Sequence, residues 1–202
     1  MMLQYKYPWI YKILIPIIHR KSVLKIFSEE VGKNVSVFDV ACGFGQMEKY
    51  IDSSNVYSGI DLNEEFIIYA QKRGRQVEKG NIFDPGAYKK SDTVVLVDVV
   101  HHIPEKKLKE LFDLVYSNAK ERVVVMEPAF LNLKSRYGVF GGIVDWVFKK
   151  LDSDGVNEIE RWFNEEEYIA LFENRFGSRE GNQFKLRLKK IHPYFIATFY
   201  KK

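Results

Sequence analysis

The 202-residue sequence predicts an α/β fold: a doubly wound, mostly parallel sheet of seven strands with an antiparallel C-terminal strand, N-terminal helices and a helical lid insertion. Three observations carry this expectation. Short apolar runs alternate with segments of helical period from residue 35 to residue 128. The run "DTVVLVDVV" (92–100) is apolar on both faces, as a central parallel strand must be. A turn poor in side chains, "ACGFG" (41–45), follows the first strand, at the edge where parallel sheets meet their ligands.

Taken in order, "SVFDV" (36–40) reads as a buried strand, and "GQMEKYIDS" (45–53) as the start of a helix. "VYSGIDL" (56–62) is a second strand. In "NEEFIIYAQKRG" (63–74), Asn63 can cap a helix that presents Phe66, Ile67 and Ala70 on one face. "RQVEKGNIF" (75–83) holds a short third strand, and "DTVVLVDVV" is the fourth. "PEKKLKELFDLVYSNA" (104–119) is helical, with Leu108, Leu111, Phe112 and Val115 at helical spacing. "ERVVVMEP" (121–128) is a fifth strand, ended by Pro128. Beyond it, residues 129–160 carry aromatics and paired glycines without a strand pattern, which suggests a helical insertion. "RWFNEEEYIALFEN" (161–174) is another helix, and "FKLRLKKI" (184–191) with "YFIATFYKK" (194–202) forms a closing antiparallel hairpin.

The totals narrow the function. A hydrophobic share of 46% with 29% charged and 15% aromatic residues describes an ordinary globular domain. A net charge of +4 permits an anionic partner without demanding one. One cysteine excludes an intrachain disulfide and a cysteine-based zinc cluster, so a reducing, cytoplasmic setting is expected. The apolar stretch from Tyr7 to Ile18 is too short to span a bilayer and is broken by Lys12 and Pro16. It reads as a buried or amphipathic helix. The sharper alternative is an interfacial segment, with Trp9 and Tyr11 at lipid headgroups and Lys6, Lys12, Arg20 and Lys21 snorkelling.

What approaches the turn at 41–45 is decided partly by what the turn lacks. A dinucleotide fingerprint needs G-x-G-x-x-G, and Glu48 stands where the third glycine would be. A carboxylate there also repels a pyrophosphate. The absence of G-K-[ST] excludes a P-loop. Asp61 ends the second strand, 16 residues past Gly45, where a carboxylate can accept both hydroxyls of a ribose. The plainer reading is an acid flanking a helix start, beside Asn63.

The series D-x-A-C-G-x-G (39–45), G-I-D-L (59–62), G-N-I-F-D (80–84) and "DTVVLVDVVHHIP" (92–104) resembles the class I S-adenosylmethionine-dependent methyltransferases, and within them the small-molecule group. The resemblance covers about residues 35 to 130. It implies a Rossmann-like sheet that binds S-adenosyl-L-methionine and releases S-adenosyl-L-homocysteine. It also implies roles for single residues. Asp39, Ala41, Cys42, Gly43 and Gly45 form the first motif, at the methionine part, with Ala41 standing where glycine is commoner. Asp61 is the ribose acid. Leu62 and Ile82 cover the two faces of adenine, and Asn81 replaces the usual aspartate near the exocyclic amine, where its amide oxygen can still accept. Val97 and Asp98 line the route to the methyl group. The chain departs from the family in lacking an L-K-P-G-G turn before the fifth strand.

Methyl transfer is an in-line displacement at an activated sulfonium carbon, so the protein contributes alignment and desolvation. A general base is needed only for a protonated acceptor, and His101 and His102 are the candidates, with Asp98 beside them. Adjacent histidines can equally cap or pack, and without further ligands they predict no metal. Tyr7, Tyr11, Tyr137, Trp146, Arg161 and Trp162 are candidate walls of an acceptor pocket, and "GVFGG" (138–142) is a candidate hinge.

The chain divides as one domain, 1–202: an N-terminal helical cap (1–34), a cofactor-binding core (35–128), a helical lid and acceptor region (129–165), and a C-terminal helix and hairpin (166–202). The expected partner is a small, hydrophobic or lipid-like acceptor methylated on O or N. Nucleic acid is disfavoured, because "VDVV" replaces the [ND]-P-P-[YF] ending of base-modifying amino-methyltransferases. Peripheral membrane contact through the N-terminal segment stays open, as does the oligomeric state. A nicotinamide-dependent oxidoreductase and a non-catalytic S-adenosylmethionine-binding protein are the alternatives.

Overall fold

A computed structural model describes residues 21–128, 165–176, 185–191 and 194–201. The N-terminal stretch to residue 20, the insertion 129–164, and with them Tyr7, Tyr11, Tyr137, Trp146, Arg161 and Trp162, lie outside the described residues.

Seven strands form one sheet: β1 (Ser36–Val40), β2 (Val56–Asp61), β3 (Val77–Lys79), β4 (Ser91–Val97), β5 (Ala119–Pro128), β6 (Lys185–Ile191) and β7 (Tyr194–Tyr200), in the spatial order β3-β2-β1-β4-β5-β7-β6. All pairings among β1 to β5 are parallel, and β7 runs antiparallel to both β5 and β6. Strand order reverses between β1 and β4. Ligands of open α/β sheets bind beyond the carboxyl ends of the strands at such a switch point.

Four helices are described: α1 (Lys21–Val31), α2 (Glu64–Gln71), α3 (Glu105–Asn118) and α4 (Glu165–Phe176). Successive residues of a strand face opposite sides, so each central strand feeds two cores. Phe38, Val40, Val94 and Leu96 meet Leu108, Leu111 and Phe112 of α3 and Tyr168 and Phe172 of α4. Val37, Val95, Val124 and Met126 meet Val23, Leu24 and Phe27 of α1 and Phe66, Ile67 and Ala70 of α2. Burying each large apolar side chain contributes about 1.5–3 kcal/mol, which is why these runs carry so few polar residues.

The expected strands and caps form with small boundary shifts. Asn63 caps α2, accepting from the N–H groups of Glu65 (3.0 Å) and Phe66 (3.3 Å). Tyr194 to Phe199 are buried throughout, because β7 lies inside the sheet and not at its rim. That placement removes the alternation expected of a solvent-facing hairpin strand. The helix expected from residue 45 is only a five-residue 3-10 helix, Gln46–Tyr50. It stops at Ile51, whose backbone is already extended. Among the described residues no helix is long and apolar enough to cross a membrane.

The far end of the chain is tied back to α1 by a buried acid. Glu30 is 2% exposed, and its Oε2 accepts from the hydroxyls of Thr198 (2.8 Å) and Tyr200 (3.2 Å) on β7. Glu30→Ala leaves both hydroxyls without this acceptor and should lower stability by about 1–3 kcal/mol, measured by urea unfolding. An unchanged midpoint would mean that α1 and β7 are held by apolar contact alone.

Candidate functional site

The carboxyl ends of β1, β2, β4 and β5 form one edge, and the two strands flanking the switch point both end in left-handed residues that are not glycine. Ala41 follows β1 with φ 59°, and Asp98 follows β4 with φ 56°. Such conformations cost about 1–3 kcal/mol each and persist where the surroundings over-determine them. The turn after β1 continues through Gly43 (φ 56°) and Gly45 (φ 69°), then enters the 3-10 helix.

Packing explains the glycines. A Cβ on Gly45 would lie 3.1 Å from Val77 and 3.2 Å from Arg75. One on Gly59, in β2 beneath the turn, would lie 2.8 Å from both the Asp39 carbonyl and the Cys42 Cβ. Gly43 differs, since a Cβ there would meet nothing nearer than Phe66 at 3.9 Å. Its two faces are a left-handed backbone and open space, which is what a ligand passing close to the main chain requires.

Asp61 locks this turn to the start of α2. One carboxylate oxygen accepts from Gly43 N–H at 2.7 Å and the other from Asn63 N–H at 2.8 Å. Leu62, next in the chain, is 48% exposed at this edge. Asn81 sits on the loop after β3, where its Oδ1 accepts from Phe83 N–H at 2.9 Å. Ile82 packs half-buried against the core, and its carbonyl accepts from the Tyr88 hydroxyl at 2.6 Å. Val97 ends β4, also half-buried. Gln46 Oε1, one residue past Gly45, is buried with no hydrogen-bond partner among the described residues. An adenosyl ligand fits these features: an open cradle over Gly43, an acid for its ribose, apolar cover at Leu62, and an orphan acceptor for its ammonium group.

Glu48 does not disturb the turn electrostatically on its own. Its carboxylate pairs with Arg75 Nε at 3.3 Å, and the Arg75 guanidinium also donates to the Phe44 carbonyl. Among the described residues no cluster of three or more His, Cys, Asp or Glu side chains could hold a metal.

Beneath the turn lies Asp39, 1% exposed, accepting from the Tyr57 hydroxyl at 2.5 Å. Burial pushes its carboxyl up from 3.8 to about 7; the Tyr57 bond opposes this, and the nearby Asp61 charge adds to it. Burial also holds the Cys42 thiol and the Tyr57 phenol well above their usual ranges.

The two candidate histidines occupy different environments. His101 is 1% exposed, with Nδ1 2.7 Å from Glu127 Oε2, whereas His102 is half-buried. Their rings are in contact with centroids 4.2 Å apart, tilted by 39°. Glu127 was not among the expected site residues. Its only trace in the sequence is a lone acid closing the apolar run "VVVM".

Residues 38–120 match the sequence model of a family described as a methyltransferase domain. No curated protein sequence matches the chain. Among solved structures, the magnesium protoporphyrin IX methyltransferase of Synechocystis PCC 6803 with bound SAH superposes with a TM-score of 0.60 at 15% identity, covering 90% of this chain and 81% of that one. The DhpI–SAH complex gives 0.66 at 13% identity, covering 96% and 92%. A SAM-dependent methyltransferase from Archaeoglobus fulgidus gives 0.60 at 18% identity, covering 95% and 100%. At these identities the likeness establishes the fold. The matched stretch runs from β1 through β4 to the start of β5, so the turn, Asp61 and both histidines all fall inside it.

Two consequences can be measured. Gly59→Ala drives a methyl group into the turn and should destabilise the protein by about 1–3 kcal/mol, seen as a lower thermal midpoint. An unshifted midpoint would mean that the turn yields freely. For Asp39, the folded state holds its proton more tightly than the unfolded chain does, so its contribution is full below about pH 4 and is lost as pH rises through about 7. Asp39→Asn keeps an acceptor for Tyr57 but cannot ionise. Its stability relative to wild type should therefore climb between about pH 4 and pH 8 in urea unfolding. A difference flat with pH would contradict the burial argument.

Proposed function

We propose that the protein is an S-adenosylmethionine-dependent methyltransferase that transfers a methyl group to an O or N atom of a small acceptor. The observation that carries this reading is the Asp61 carboxylate, which binds Gly43 N–H and Asn63 N–H and so stands at the lip of the open glycine turn. A turn that passes into a 3-10 helix offers no α-helix N-terminus for a pyrophosphate, which argues against a nicotinamide dinucleotide.

When bound, the cofactor supplies an electrophilic methyl carbon on a sulfonium. The residues of this chain do the rest. Asp61 accepts from the ribose hydroxyls, and Leu62 and Ile82 cover the adenine faces. Asn81 meets the exocyclic amine through the second lone pair of an oxygen already bonded to Phe83 N–H. Asp39, Ala41, Cys42, Gly43 and Gly45 shape the backbone against the methionine part. Val97 and Asp98 line the path of the methyl group, where alignment and exclusion of water account for most of the acceleration. His101, His102 and Asp98 are the groups nearest to acid–base work.

The acceptor side draws on Tyr7, Tyr11, Tyr137, Trp146, Arg161 and Trp162. Together with the apolar stretch Tyr7–Ile18 they support a hydrophobic or lipid-like acceptor, reached in the cytoplasm or at a membrane surface.

The test is calorimetric titration of the purified protein with S-adenosylmethionine, S-adenosylhomocysteine and NADH, beside Asp61→Ala. Both adenosyl compounds should bind and NADH should not. Losing charged hydrogen bonds should weaken their binding to the variant by about ten- to a hundredfold. Binding of NADH instead, or of none of the three, would sink the methyltransferase reading.

A further inference from the structure

Glu127 is the penultimate residue of β5 and is 0% exposed. Four hydrogen-bonding groups converge on it. Its Oε1 accepts from Val99 N–H (2.7 Å) and Val100 N–H (2.8 Å), and its Oε2 faces His101 Nδ1 (2.7 Å) and the Tyr168 hydroxyl (3.2 Å). An apolar side chain would fill this space without the desolvation that a buried acid demands, so the group is expected to do something that packing does not.

Two effects follow from the geometry. The bonds to Val99 and Val100 grip the chain just after Asp98, which follows β4 in a left-handed conformation and donates its own N–H to the Met126 carbonyl at 3.0 Å. Glu127 thus over-determines a strained turn at the site edge. The second effect is chemical. An ionised Glu127 can only accept, and in that state it fixes the His101 proton on Nδ1 and with it the tautomer and the plane of that ring. The ring lies against His102, the less buried of the pair.

We propose that Glu127 is a positioning residue, acting through His101 and the 98–102 turn to orient His102 as the base that takes the acceptor's proton. This rests on the methyltransferase reading with a protonated O or N acceptor. In the step, the acceptor lone pair forms the new bond to the methyl carbon and the carbon–sulfur bond breaks, leaving a neutral thioether. The acceptor proton passes to an unprotonated ring nitrogen of His102 and then to solvent. The negative charge of Glu127, one ring away, favours the imidazolium that forms.

The experiment uses the full-length protein with S-adenosylhomocysteine as the probe. Histidine ring nitrogens are read by long-range proton–nitrogen NMR, and backbone amides by hydrogen exchange. In wild type, His101 should carry its proton on Nδ1, and the Val99 and Val100 amides should be protected. In Glu127→Gln, the His101 Nδ1 signal should move or vanish, protection at Val99 and Val100 should fall by about tenfold or more, and the His102 ring signals should shift. Binding of S-adenosylhomocysteine should meanwhile stay within about threefold of wild type, since no cofactor contact is touched.

Should that variant not fold, His101→Asn keeps a donor toward Glu127 and removes the contacting ring, and it too should shift the His102 signals. Wild-type His101 protonated on Nε2 alone, or His102 signals unmoved in the folded variant, would overturn the inference while leaving cofactor binding intact. Failure of wild type to bind S-adenosylhomocysteine would instead overturn the methyltransferase reading, whatever the tautomer.

Discussion

The carboxylate of Asp61 joins two chain segments that would otherwise be independent: the turn leaving β1 and the entry to α2. Around that joint the other choices become necessary. Gly43 must be left-handed to aim its N–H at the acid, and Gly59 must lack a side chain so that the turn can lie on β2. Asn63 must keep its own N–H for Asp61 while its side chain caps α2. Arg75 closes the outside of the turn by binding both Glu48 and the Phe44 carbonyl. The edge is therefore held together by contacts within the chain itself.

A buried acid stands behind each half of that edge, on opposite faces of the sheet. Asp39 lies under the glycine turn among the residues facing α1 and α2, and Glu127 lies under the 98–102 turn facing α3 and α4. Their surroundings differ. Asp39 has the Tyr57 hydroxyl at its carboxyl, and burial carries it up to about 7, near neutrality. Glu127 has four hydrogen-bond partners around it, two of them backbone amides. One acid is thus placed to respond to pH beneath the glycine turn. The other holds a fixed geometry beneath the 98–102 turn.

Much of the frame was legible from residue order. Asn63 as a cap, the Leu108–Leu111–Phe112–Val115 stripe, the β1 to β5 runs and the glycine turn all rest on local chemistry, where a residue's neighbours in sequence are its neighbours in space. The crossover after Gly45 was overestimated, because "QMEKY" has helical composition while the 3-10 geometry and its stop at Ile51 depend on packing against β2 and α1. The run "YFIATFY" alternates poorly for a hairpin strand, and the cause is tertiary. Only its insertion between β5 and β6 explains burial on both faces.

The histidine pair marks the limit of that reading. Sequence placed His101 and His102 side by side after β4 and named them together as acid–base candidates, from residue type and position. It could not separate them, since the partner that does so is 26 residues away on another strand. Glu127 meets His101 only because β4 and β5 pair in register, with Val97 opposite Met126, which brings the two strand ends level. Residue identity and period thus determined the class of fold, the glycine turn and the acid at the end of β2, all encoded within single elements. Strand registry and side-chain burial decided which histidine is held inside, which acid holds it and why Asp39 resists ionising, because these depend on groups that meet only when the sheet closes.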